Sequence, residues 1–199
     1  MKEKQIEKLT NTPQDFKALK TASEKFWSNI ELEEVYGYQI QSGSKWKEGL
    51  NEEDLEIFQK ELDIEFPESL KTFYRTMNGL DKPGINILAE EEECKFGTTF
   101  YSFPDDLQEM KRYIKWVHKE NNSANYDKGK VPSIIPYYSH RFLIIDKYEQ
   151  VLSMYGDDII LWSDNLIQGI AQDIFDVNYR KMKTIELKPI DFWKDKVLT

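Results

Sequence analysis

Two short stretches hold the side chains best suited to chemistry. His140-Arg141 stand side by side, and Asp157-Asp158 follow after an apolar run and a turn. An imidazole beside a guanidinium, with a carboxylate brought up by a hairpin, would make an acid/base pair or an anion site. The chain has only two histidines, and the other, His118, falls near the end of a polar helix and reads as solvated. Charged pairs at such places are more often structural. The expectation adopted is therefore that Arg141 pairs with Asp158 across a sheet while His140 caps a loop. The sequence holds no glycine-rich phosphate loop, no His/Cys spacing suited to zinc and no nucleophile elbow. Hence no catalytic residue, no cofactor and no enzyme activity are expected.

Carboxylates raise a second possibility. Glu90, Glu91, Glu92 and Glu93 are consecutive, and Asp105-Asp106 follow closely. Oxygen ligands of this kind suit calcium or magnesium, but the alternating loop with its central glycine is missing, so a solvated acidic patch and no metal are expected. The net charge of −9 is unevenly spread: residues 1–48 sum to zero, 49–110 to −11 and 111–199 to +2. An acidic field repels nucleic acid and anionic membrane and steers basic partners. Aromatic residues interleave with it, namely Phe96, Phe100, Tyr101 and Phe103 beyond the glutamates and Tyr137-Tyr138 before the apolar run. Aromatic anchors beside acidic steering groups are the composition of a protein interface. The partner-binding residues expected are therefore Glu90–Glu93, Tyr101, Asp105, Asp106, Tyr137 and Tyr138, with at least two of the aromatics exposed.

The elements that must position these groups follow from caps and periodicity. Thr12-Pro13 followed by Asp15 starts a helix at Pro13, and Phe16, Leu19, Phe26 and Ile30 carry it to about Val35, before Gly37. Its Phe and Trp residues favour packing on the core over a free arm. Asn51 caps a helix with a Leu55, Phe58, Leu62 stripe; Pro67 breaks it and opens a second, with Leu70, Phe73, Tyr74 and Met77, closed by Gly79 in a left-handed stop. Strands are predicted over 84–89 and 95–100, with the glutamates in the loop between them. Pro104 starts a helix with Asp105-Asp106 in its first turn. Residues 121–130 read as the least ordered stretch. Phe142 to Ile145 form a central strand covered on both faces, and 150–155 and 158–162 form a hairpin through Gly156-Asp157. Ser163 or Asp164 caps a last helix with Leu166, Ile170 and Ile174 inward, and 184–188 add an edge strand. The fold class is α+β: an antiparallel sheet of about five to six strands with helices packed against it, plus an N-terminal helical extension.

The order of these signals resembles the SUKH superfamily over roughly Trp46 to Phe175. The matching residues are Asp63-Ile64-Glu65-Phe66-Pro67, Asn78-Gly79, Ile135-Pro136 with His140-Arg141-Phe142-Leu143, Val151-Leu152-Ser153-Met154 with Asp158-Ile159-Ile160, and Asn165-Leu166 with Asp173-Ile174-Phe175. In that group Pro67, Gly79, His140, Arg141 and Asp158 correspond to structural motif positions. The resemblance implies a binding protein, since members include fungal regulators of cell-wall glucan synthesis and bacterial immunity proteins that neutralise toxins. It divides the chain into an N-terminal extension, 1–45, and a SUKH-like domain, 46–199. The expected function is an immunity protein holding a basic toxin domain, such as a nuclease; the alternative is an adaptor akin to the cell-wall regulators. A partner protein is expected, with no nucleic acid and no membrane. Lone Cys94 and the lack of a signal core or long apolar run make the cytoplasm the expected location.

Overall fold

Three side chains decide where helices begin. Thr12 accepts from the Asp15 amide (3.2 Å), Asn51 from Asp54 (2.9 Å) and Asn165 from Gln168 (3.0 Å). Each satisfies an amide that the first helical turn leaves without a partner. The computed structural model describes residues 1–88, 95–176 and 185–198. Its helices are α1 (Glu3–Ile6), α2 (Pro13–Trp27), α3 (Glu52–Leu62), α4 (Glu68–Thr76), α5 (Leu107–Glu120) and α6 (Leu166–Phe175). Its strands are β1 (Gly84–Asn86), β2 (Lys95–Gly97), β3 (Ser133–Tyr138), β4 (Arg141–Ile145), β5 (Val151–Tyr155) and β6 (Asp158–Ser163). The α+β class is as expected. β1 and β2 pair antiparallel, and β3-β4-β5-β6 form a four-stranded antiparallel meander.

β4 is an inner strand of that sheet, and strand alternation sends its residues to two separate cores. Leu143 joins Ile135, Tyr137 and Val151 under α2, α4 and α6. Phe142 and Ile144 join Ile134, Leu152, Met154 and Ile159 on the opposite face, which is covered by Val117 of α5 and by Ile190, Phe192 and Trp193 near the C-terminus. The α2 side chains Phe16, Leu19 and Trp27 are fully buried in the first core. The extension is also stitched to α6: Asn11 Oδ1 accepts from the Ile167 amide (3.1 Å), and Gln168 Nε2 donates to the Leu9 carbonyl (3.1 Å).

Several boundaries differ from expectation. α2 stops at Trp27 rather than near Val35, because the turn at 41–44 returns and the Gly43 amide donates to the Trp27 carbonyl (2.8 Å). Pro67 is the N-cap of α4 rather than its first helical residue, and the preceding reversal is made by Asp63 at φ 55°. Gly79, at φ 71°, follows the end of α4 without being its cap; Met77, in extended conformation, fills that position. A Cβ on Gly79 would lie 2.6 Å from Ser102 Cβ. Beside it the Asn78 side chain clamps Phe103, donating to its carbonyl (2.7 Å) and accepting from its amide (2.8 Å). The Asn78-Gly79 pair thus docks the end of α4 on the segment leading into α5.

α5 begins at Leu107, so Pro104 to Asp106 form a turn ahead of it rather than its first turn. Asn165, rather than Ser163 or Asp164, caps α6. Residues 121–130 carry two short 3-10 turns, Ser123–Asn125 and Lys128–Lys130. β3 takes the place of the expected edge strand at the tail. Over 185–188 the chain forms no strand, because a side chain does the work of a ladder: Gln150 donates to the Glu186 carbonyl (2.9 Å) and accepts from the Lys188 amide (2.9 Å).

Candidate functional site

The constellation around His140 assembles differently from the sequence expectation. Arg141 turns away from Asp158 and across the sheet to α6, where its Nε lies 3.1 Å from Asp173 Oδ1. Its other end donates to Ser153 Oγ (2.7 Å), and its guanidinium carbon sits 3.6 Å from the centre of the Trp162 ring. Asp173 also accepts from the Tyr137 hydroxyl (3.1 Å). Burial pushes the Asp173 carboxyl up to about 7, although Arg141 and the Tyr137 hydroxyl pull it down. Asp158 stands exposed opposite Tyr155 at the end of the β5–β6 hairpin. The expected pairing of Arg141 with Asp158 is therefore replaced, because the closing helix brings a carboxylate directly over the sheet face that Arg141 occupies.

His140 sits in the β3–β4 turn, with Nδ1 3.1 Å from Ser139 Oγ. Burial, with the Arg141 charge second, lowers its pKa to about 4, so the ring is neutral near pH 7. No described carboxylate hydrogen-bonds to it, and its ring centre lies 6.3 Å from that of Tyr155. Among the described residues no group of three or more His, Cys, Asp or Glu could hold a metal ion. No described helix is long and apolar enough to cross a membrane.

The expected interface aromatics divide sharply. Tyr101 and Tyr137 are interior: the Tyr101 hydroxyl donates to the Ser139 carbonyl (3.0 Å), and Tyr137 reaches Asp173. Both belong to the first core, which removes them as surface contacts in this fold. Phe100 and Phe103 are buried there too, Tyr138 is half-buried against Phe100, and of these aromatics Phe96 alone is exposed. Asp105 points outward and pairs with Lys47 (2.9 Å). Asp106 is spent locally, accepting from the Ser102 amide (2.8 Å) and hydroxyl (2.7 Å) and from Thr98 (2.8 Å). Glu90–Glu93 and Cys94 lie outside the described residues.

Acidic surface is nevertheless present on described elements. Along α3 and the α3–α4 link, Glu53, Glu56, Asp63 and Glu65 are exposed with no ion pair among the described residues, around exposed Ile57. Neighbouring Glu52 and Glu68 are held by Arg75, at 2.7 and 2.5 Å.

A second surface feature was not anticipated. Arg112, Tyr113 and Trp116 of α5 and Tyr155 of β5 line an open pocket of about 310 Å³. The Trp116 ring stands nearly perpendicular to those of Tyr113 (85°) and Tyr155 (80°). A hint lay in the helix period: Tyr113 and Trp116 share a side of α5 that the Leu107, Met110, Val117 stripe does not use.

No curated protein sequence matches the chain significantly. A family model does, over residues 49–176, from the helix capped by Asn51 to the end of α6. That stretch contains the angled α3–α4 pair, the Asn78-Gly79 clamp and the meander joined to its helix by Arg141 and Asp173. The chain belongs to the SMI1 / KNR4 family (SUKH-1).

Proposed function

We propose that this protein is a non-enzymatic binding domain that neutralises a basic toxin domain by covering its active surface, acting in the cytoplasm without a cofactor. The family membership over residues 49–176 carries this reading. The surface charge supports its second half: the unpaired carboxylates of α3 and the α3–α4 link form a field that attracts a cationic partner and speeds its encounter. The toxin reading favours a nuclease, whose phosphate-gripping surface is itself basic. An adaptor role related to cell-wall regulation is the alternative, and an apolar client would bind with little dependence on salt.

The test is affinity capture from the source organism, with wild-type protein and a Glu53→Lys/Glu56→Lys variant, followed by expression of the captured protein in a heterologous host. A basic partner that arrests growth alone, is tolerated when co-expressed with the wild type and escapes the variant fits the proposal. Its association is expected to slow about tenfold or more between low and physiological salt. A partner that is harmless alone, and held equally by both proteins, would sink it in favour of the adaptor.

A further inference from the structure

We propose that the pocket between α5 and the β5–β6 hairpin is an aromatic cage that takes a lysine or arginine side chain of the basic protein partner, an inference that rests on the function proposed above. Three rings make its walls. Trp116 stands between Tyr113 and Tyr155 at centroid distances of 5.9 and 5.2 Å, perpendicular to both. All three rings line the same open pocket, and the negative face of an aromatic ring attracts a cation. The chain itself uses one wall this way: the Arg112 guanidinium lies 5.3 Å from the centre of the Tyr113 ring.

The rim has the charge that such an occupant requires. Arg112 is the one cation among the four lining residues and pairs with Glu109 at 3.2 Å. Glu120 reaches the hairpin tip, with its Cγ 3.6 Å from where a Cβ on Gly156 would stand, and exposed Asp157 and Asp158 complete that tip. None of Glu120, Asp157 and Asp158 has an ion pair among the described residues. His140, behind Tyr155, adds no opposing charge near pH 7 because its ring is neutral. The hairpin is held in position from beneath, where Asn121 Nδ2 donates to the Gly156 carbonyl (2.9 Å). Tyr155 is 64% exposed and Trp116 half-buried, so the cage is open to a partner's side chain while its floor stays packed.

The experiment uses the full chain labelled with 5-fluorotryptophan and a blocked hexa-arginine peptide, with the neutral hexa-citrulline peptide as control. Fluorine NMR reads the five tryptophans separately once Trp116→Phe has assigned the relevant signal. The arginine peptide is expected to move the Trp116 resonance saturably and the citrulline peptide to leave it in place. Tyr155→Ala, at an exposed site that folding does not depend on, should weaken binding about fivefold, and Tyr155→Phe should retain it. Equal shifts by both peptides, or no arginine binding to the wild type, would overturn the cage. So would arginine binding that survives Tyr155→Ala but disappears in Glu53→Lys/Glu56→Lys; that result leaves the basic-partner reading standing, and the growth-arrest experiment decides that reading separately.

Discussion

Arg141 and Asp173 join the inner strand of the meander to the helix that closes it, at 3.1 Å and with side chains 12% and 2% exposed. A pair so withdrawn from water is costly to break from one side, because the remaining group keeps its desolvation penalty. Arg141→Ala is expected to lose about 3–5 kcal/mol in urea denaturation at pH 8, where Asp173 is ionised. At pH 5 the loss should shrink, since the carboxyl is already protonated there. An equal loss at both pH values would mean that the arginine acts through packing on Trp162 alone.

His140 and Asp173 flank this arginine with opposite effects on pH dependence. Unfolded, His140 gains its proton near pH 6.5; folded, it waits until about 4, so stability present above 6.5 is lost as pH falls toward 4. Asp173 is shifted from 3.8 up to about 7, so its contribution is full near pH 4 and is lost as pH rises toward 7. The two slopes oppose each other over nearly the same window. Wild-type stability should owe little net slope to this pair between pH 4 and 6.5. His140→Asn should instead tilt the stability, relative to wild type, toward decline as pH rises, readable as urea midpoints across that range. NMR titration of His140 should place its pKa near 4.

Gly169 marks the closest approach of α6 to the sheet. A Cβ there would lie 2.6 Å from the Tyr137 hydroxyl and 2.8 Å from Ser163 Oγ. Neither can step aside freely, since one is tied to Asp173 and the other donates to the Asn165 carbonyl (2.7 Å). Gly169→Ala should cost about 1–3 kcal/mol by thermal or urea unfolding. Gly129→Ala, with only the Asp127 carboxylate 3.7 Å away, is the control expected to change little.

Asn11 and Asn165 share the start of α6, taking the Ile167 and Gln168 amides respectively. Each change to Ala should cost about 1 kcal/mol. Because Asn11 belongs to the N-terminal extension, its loss should also raise amide exchange at Ile167, the direct sign that the extension caps a helix of the matched core.

Local chemistry made much of this fold readable. Thr12 and Asn51 cap as their residue types dictate, Gly156-Asp157 makes the hairpin turn, and the unbroken run Phe142 to Ile145 is an inner strand with two covered faces. What could not be read was the long-range choice of partner. Asp158 is nearer in sequence to Arg141, yet Asp173 meets it because a helix packed across a sheet brings distant positions together. The tail's attachment was hidden for the same reason, since the glutamine just ahead of β5 replaces the strand pairing that its β-prone residues suggested. At the surface, Tyr101 and Tyr137 read as anchors from composition, whereas the pocket belongs to Tyr113, Trp116 and Tyr155, whose convergence depends on how α5 lies beside the hairpin.

The two cores draw on both ends of the chain: Phe16, Leu19 and Trp27 fill one, and Ile190, Phe192 and Trp193 cover the other, all outside the family-matched stretch. A fragment of residues 49–176 should therefore expose apolar surface on both sides of the meander and aggregate on expression. Synthesis imposes an order on the same arrangement. A nascent chain can seat α2 against α4 early, but the second face of its sheet lacks part of its cover until residues 190–193 have been made. Trp193 is the side chain that closes this face.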